Sequence, residues 1–89
     1  MARVIFTSHL LRHIQCPDKV VSGTTLRAAL EEVFTAHPKV RDYVLDEQGE
    51  LRKHVVVFID GKRAGDRRGL SDRVEETSDI YVLQALTGG

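Results

Sequence analysis

The stretch that decides the fold is His54–Asp60, HVVVFID, which Gly61 and Lys62 follow directly. Its β-branched and aromatic residues favour a strand over a helix. The pair Asp60-Gly61 is typical of a two-residue hairpin turn, in which both central residues adopt positive φ angles. The chain is therefore predicted to reverse here, into a short return strand that begins at Arg63-Ala64.

A helix is predicted on the N-terminal side of this hairpin. Apolar residues recur at helical spacing between Leu26 and His37, and charged residues occupy the other side. A threonine of the pair Thr24-Thr25 provides the N-cap. Pro38 disfavours helical geometry in the residue before it, so the helix is expected to end there, with one further short turn over 40–44.

Three more segments have the composition of strands. Arg3–Ser8 lacks alternation, as expected of a strand buried on both faces, whereas Leu11–Cys16 alternates weakly and is closed by the turn residues Pro17-Asp18. Ile80–Leu86 is the last strand, and it should pair with the first at the centre of the sheet. The element order predicts an α+β domain in which two antiparallel hairpins pack on one helix. The predicted core consists of Leu26, Leu30, Val33, Phe34, Val55, Val57, Ile59, Ile80 and Val82.

Composition narrows the class of protein. The 89 residues suffice for one small domain, and 42% hydrophobic and 29% charged residues are ordinary for a soluble globular protein. The single cysteine excludes an internal disulfide, and no apolar run reaches the ~18 residues of a membrane span. The N-terminal apolar run is too short for a signal peptide, so a cytoplasmic protein is expected.

The net charge is zero, from 13 basic and 13 acidic residues, but the charge is unevenly distributed. The segment 51–73 carries seven basic and three acidic residues. Aromatic residues for base stacking are missing from 61–73, which disfavours nucleic-acid binding. The simpler interpretation is that this block forms a solvated hairpin and loop. The alternative is that it binds an acidic surface on a partner enzyme. The basic residues concerned are Arg52, Lys53, Lys62, Arg63, Arg67, Arg68 and Arg73.

The last strand leads directly into Thr87-Gly88-Gly89. Terminal residues are commonly frayed, so an inert end is one interpretation. Two residues without a Cβ also make a thin tail that can enter a narrow enzyme channel. The expected organisation is thus a domain over 1–86 and a flexible tail over 87–89.

Taken together, this tail, the hairpin and the helix after Gly23 resemble the MoaD/ThiS family of ubiquitin-like sulfur-carrier proteins. The stretch from Gly61 through Leu70-Ser71-Asp72 is also similar to the corresponding half of ubiquitin. The resemblance covers nearly the whole chain and implies a β-grasp fold, with a mixed four- to five-stranded sheet packed on one main helix.

The resemblance also implies a function. An E1-like enzyme of the MoeB/ThiF type would adenylate Gly89 with ATP, and a sulfurtransferase or persulfide would convert it to a thiocarboxylate. That sulfur would pass to an accepting enzyme that makes a cofactor such as molybdopterin or thiamine, an amino acid, a thiolated tRNA or a metabolite. The carrier would contribute no catalytic group and hold no permanent cofactor. Residues expected to contact the activating enzyme are Gln84, Leu86, Thr87, Gly88, Arg63, Arg67 and Arg68.

The chain departs from the family where it would meet that enzyme. Many members have proline at the position of Gln84 and alanine or serine at that of Thr87, which leaves the partner and pathway open. Two other functions also remain open. Gly89 could form an isopeptide bond to lysine, as in a ubiquitin-like modifier, or the domain could be a binding module with an inert tail.

A metal site is disfavoured. His9 and His13 are four residues apart and Cys16 follows three later, but on a strand the two histidines would lie roughly 13 Å apart. Structural histidines and a small, unreactive cysteine are therefore expected.

Overall fold

The computed structural model of the protein describes residues 1–6 and 18–84. This part of the chain forms a single five-stranded sheet with two helices. In chain order the elements are β1 (Ala2–Phe6), β2 (Lys19–Val21), α1 (Leu26–Ala36), α2 (Pro38–Val44), β3 (Val55–Ile59), β4 (Lys62–Arg63) and β5 (Asp79–Gln84). The predicted α+β class is confirmed.

The sheet order is β2-β1-β5-β3-β4, which confirms the predicted central pair. β1 and β5 run parallel, with Val4 opposite Ile80, and both side chains are fully buried. The other pairings, β1 with β2, β3 with β4 and β3 with β5, are antiparallel, so the sheet is mixed as expected.

The strand β2 was not predicted from the sequence. The structure has it at Lys19–Val21, three residues that are too few to show a pattern of their own. The predicted strand Leu11–Cys16 lies outside the described residues. β4 likewise begins at Lys62, one residue before the predicted Arg63.

The helix has the predicted boundaries. The Thr25 hydroxyl accepts a hydrogen bond from the Ala28 amide at 3.2 Å, which identifies Thr25 as the N-cap. α1 ends at Ala36, because His37, the residue before Pro38, lies outside the helical region (φ −134°, ψ 76°). The single turn expected next is instead the seven-residue helix α2, which has Pro38 in its first turn.

The core lies between α1, α2 and one face of the sheet, which we call the inner face. All nine predicted core residues belong to it: eight are buried, and Ile59 is partly buried against the others. The other main contributors are Phe6, Val21, Val44, Leu45 and Leu70. Neither helix of the described chain is long and apolar enough to cross a membrane.

Candidate partner-binding surface and C-terminal segment

β5 delivers the C-terminal segment to one end of the sheet. Its last residue, Gln84, is half-buried and pairs with Val55, the first residue of β3. Ala85–Gly89, including the predicted site residues Leu86, Thr87, Gly88 and Gly89, lie outside the described residues. Five residues extend at most about 17 Å. Whatever acts on Gly89 must therefore come within that distance of Gln84.

The sheet face opposite the helices, here called the outer face, carries a group of apolar side chains. Tyr81 is 40% exposed at the centre, with the half-buried Phe58 directly across from it on β3 and the half-buried Ile5 across from it on β1. On the next pair toward the end of β5, Leu83 lies opposite Val56. Val20 on the edge strand is 58% exposed. Apolar side chains that are grouped on one face and partly exposed can mark an interaction site.

Charged side chains border this apolar group. Arg3 and Asp79 pair across β1 and β5 with 3.6 Å between Nε and Oδ1. Arg63, one of the predicted docking residues, pairs with Phe58 and is exposed. The structure thus places Arg63 at the border of the outer face, where a partner bound to Phe58 and Tyr81 would meet it.

The other two predicted docking arginines have contacts within the fold. The Arg67 guanidinium donates to the backbone carbonyl of Arg52 at 2.6 Å, and this hydrogen bond is partly buried. The Arg67 carbonyl in turn accepts from the Leu51 amide. Arg68 lies 3.8 Å from the Glu50 carboxylate, although 87% of its side chain is exposed. Arg67 therefore joins two loops, whereas Arg68 remains accessible.

Arg27 has a structural role that the sequence did not reveal. Its guanidinium donates to the carbonyls of Gly49, Arg68 and Gly69, at 2.9, 3.2 and 3.1 Å. The loop around Gly49 and the loop before Leu70 are thereby tied to the start of α1. Helical spacing places Arg27 on the polar side of α1, but it gives no sign of loops that come 22 and 41 residues later.

Asp60 anchors the hairpin to the start of β5. Its carboxylate accepts a hydrogen bond from the hydroxyl of Ser78 at 2.7 Å and one from the amide of Asp79 at 2.9 Å. These bonds, the Ser78 bond foremost, lower the pKa of Asp60. Ser78 is only 1% exposed, and its hydroxyl also accepts from the Glu75 amide, so a buried polar group is fully satisfied.

Two aspartates hold the loop between β4 and β5. Asp66 accepts from the Ser71 hydroxyl at 2.6 Å and from the Gly69 amide, and these bonds, the first above all, lower the pKa of Asp66. Asp72 accepts from the amides of Gly65 and Asp66. The loop is thus organised by hydrogen bonds to its own backbone, which leaves these carboxylates little free capacity for a ligand.

Metal-binding clusters were sought across the described residues. Nowhere in 1–6 or 18–84 do three or more His, Cys, Asp or Glu side chains form a group able to hold a metal ion. The sequence candidates His9, His13 and Cys16 lie outside that range.

Comparison with solved structures relates this geometry to known proteins. A chain of the Amycolatopsis orientalis BexX/CysO complex superposes with a TM-score of 0.82 at 19% identity, covering 100% of both chains. The chain has the ubiquitin-like β-grasp fold. Mycobacterium tuberculosis CysO follows with a TM-score of 0.79 at 19% identity, over 97% of this chain and 100% of that one.

A third similar structure is that of the small archaeal modifier protein 1 (SAMP1) from Methanosarcina acetivorans. It has a TM-score of 0.79 at 18% identity and covers 99% of this chain and 95% of that one. No protein-family profile matches the chain, and no curated protein matches its sequence. These likenesses agree with the β-grasp fold that the resemblance in sequence implied.

Proposed function

We propose that this protein is a sulfur carrier whose reacting group is the carboxylate of Gly89. The observation that carries the proposal is the path of β5. This central strand of a β-grasp sheet leads from the core to the end of the sheet, and Gly89 comes five positions after its last residue, Gln84. Small carrier and modifier proteins of the MoaD/ThiS type, CysO and SAMP1 among them, share this fold over almost the entire chain.

The chemistry follows from the carboxylate. A carboxylate is a poor electrophile, so an E1-like enzyme would let one of its oxygens attack the α-phosphorus of ATP, with pyrophosphate as the leaving group. A persulfide on the sulfur donor would then attack the carbonyl carbon of the acyl-adenylate and displace AMP to form an acyl disulfide. A second thiol would attack the donor sulfur of that disulfide bond, which releases the thiocarboxylate and leaves a disulfide on the donor. Glycine at 88 and 89 serves this step because neither residue has a Cβ to obstruct the enzyme channel.

We assign the outer face to the activating enzyme. Tyr81 and Phe58 are apolar groups at its centre, and Arg63 borders them. Tyr81 is three residues before Gln84, so an enzyme that covers this face is within reach of the C-terminal segment. The similar complex of CysO with BexX indicates that a small protein of this fold forms a complex with a partner.

A second function is supported by the likeness to SAMP1, whose name describes a modifier protein. In that case the activated Gly89 carbonyl would be attacked by the ε-amine of a lysine on another protein, and AMP or an enzyme thiol would leave. Both functions share the adenylation step and differ in the nucleophile that follows.

Intact-protein mass spectrometry tests the proposal. The protein, first purified from its source to establish that Gly89 has a free carboxyl, is incubated with ATP, the E1-like enzymes of that organism and a sulfur donor. A carrier exchanges one oxygen for sulfur, whereas a modifier yields lysine-linked adducts. A terminus that no activating enzyme alters would refute both and leave a binding module.

Deletion of Gly88 and Gly89 provides the matched control. The deletion should abolish adenylation, measured as ATP-pyrophosphate exchange, and should leave the melting temperature nearly unchanged because terminal residues contribute little burial. A large fall in the melting temperature would instead assign the two glycines a structural role.

A further inference from the structure

A turn rich in basic residues lies at the sheet end where β5 ends. β3 begins at Val55, which pairs with Gln84, and the residues that precede it are Arg52, Lys53 and His54. Neighbouring strands are about 4.8 Å apart, so this turn lies beside the end of β5. We call Arg52–His54 the exit turn.

The exit turn carries positive charge that is accessible to a partner. Lys53 and His54 are exposed, and their side chains form no ion pair with any residue in the described part of the chain. The Arg52 guanidinium donates to the backbone carbonyl of Asp42 at 2.7 Å, and it forms no ion pair with a described residue. The Arg67 guanidinium, bound to the Arg52 carbonyl, adds a further positive charge at this end.

The opposite end of the sheet differs in charge. There Asp60 and Asp72 line one surface depression together with Lys62 and Arg63, and Asp79 is paired with Arg3. Val55 and Ile59, the partner of Lys62, are four positions apart on β3, which is about 13 Å of strand. The basic block of the sequence is therefore divided between the two ends of the sheet, and Arg52 and Lys53 belong to the part beside the end of β5.

We propose that the exit turn binds an acidic protein surface at the entrance to the catalytic cleft of the activating enzyme. This inference rests on the proposed function. An enzyme that holds the Gly89 carboxylate must bring its surface within about 17 Å of Gln84, and the exit turn is then beside that surface. Because the exit turn is basic and exposed, we infer that carboxylates at the cleft entrance are the groups it binds.

Charges at the rim of an interface act mainly on the rate of encounter and on its dependence on salt. Loss of the exit-turn charge should therefore raise the KM for the carrier without changing kcat. The effect should diminish as ionic strength rises, because the Debye length falls from about 10 Å at 0.1 M to about 3 Å at 1 M.

The experiment compares Lys53→Glu with Lys62→Glu, an identical charge reversal in the same basic block at the other end of the sheet. Steady-state ATP-pyrophosphate exchange with the E1-like enzyme is measured at low and high salt. At low salt we expect the KM for Lys53→Glu to rise about five- to tenfold, and that for Lys62→Glu less than about twofold. The two should converge with the wild type near 1 M salt. Lys53→Gln, which only removes the charge, should give an intermediate value.

Three results would overturn the inference. Equal effects of the two reversals would assign the attraction to net charge, a loss of kcat would assign Lys53 to the chemical step, and a rise in the KM for ATP would assign it to phosphate binding. Failure of the adenylation step itself is distinguishable, because the wild-type protein would then support no exchange at all. Melting temperatures of both variants exclude loss of folding as the cause.

Discussion

Substitution of Gly61 tests the hairpin that organises the sheet. Gly61 has φ +83° and follows Asp60 at φ 51°, so both central residues of the turn are in the left-handed region. A Cβ added to Gly61 would have no heavy atom within 4 Å. The penalty of a side chain here therefore comes from the local backbone conformation and not from packing against the rest of the fold.

The size of that penalty depends on the residue introduced. Alanine in the left-handed region costs about 1–2 kcal/mol, and a β-branched residue up to about 3 kcal/mol. For a domain of this size each kcal/mol lowers the melting temperature by about 4–8 °C. Gly61→Val should thus be destabilised the most and Gly61→Ala by an intermediate amount, whereas Gly61→Asn should remain close to the wild type because asparagine tolerates this region.

Chemical denaturation of the three variants is the assay, with Gly65→Ala as control. Gly65 is exposed and has no positive φ, and its Cβ would lie 3.8 Å from an Asp72 oxygen, which is ordinary contact. Its replacement should leave stability unchanged or slightly raised. Wild-type stability of Gly61→Val would show that the turn is wrongly assigned, and equal losses for alanine and asparagine would show that φ is not the cause.

Three other predictions concern the loop and the outer face. Because the folded state lowers the pKa of Asp66, its carboxylate stabilises the protein above about pH 4, and that contribution is lost as the pH falls through the lowered value. The melting temperature of Asp66→Asn should therefore be below that of the wild type at pH 7, and the two should converge in acid. Arg67→Ala should cost about 1–2 kcal/mol in urea unfolding through its lost hydrogen bond, while Arg63→Ala should cost almost nothing. Phe58→Glu should raise the KM for adenylation about tenfold or more with little change in folding, and an unchanged KM would exclude the outer face as the docking site.

The sequence predicted best those elements that have a strong local signal. α1 has a cap, a regular apolar side and a proline after it, and its observed bounds are as expected. The hairpin at Asp60-Gly61 is similarly local, because the turn chemistry is contained in two residues. β2 was missed because three residues have no measurable period and are held in the sheet only by pairing with β1.

Contacts between distant loops could not be predicted from the sequence. Nothing near Arg27 indicates that its guanidinium will bind three carbonyls from two later loops. The division of the basic block was hidden for the same reason. Only the strand register reveals that Lys53 is at the end of β5 and that Lys62 is at the other end.

The central claim is that Gly89 is the reacting group, and its mass after activation tests this most directly. With ATP, the E1-like enzyme and a sulfur donor, the account predicts that one oxygen of the C-terminal peptide is replaced by sulfur, and that the change is absent when Gly88 and Gly89 are deleted. The account would be contradicted if the C-terminal peptide stayed unaltered under conditions in which the same enzyme activates another carrier protein.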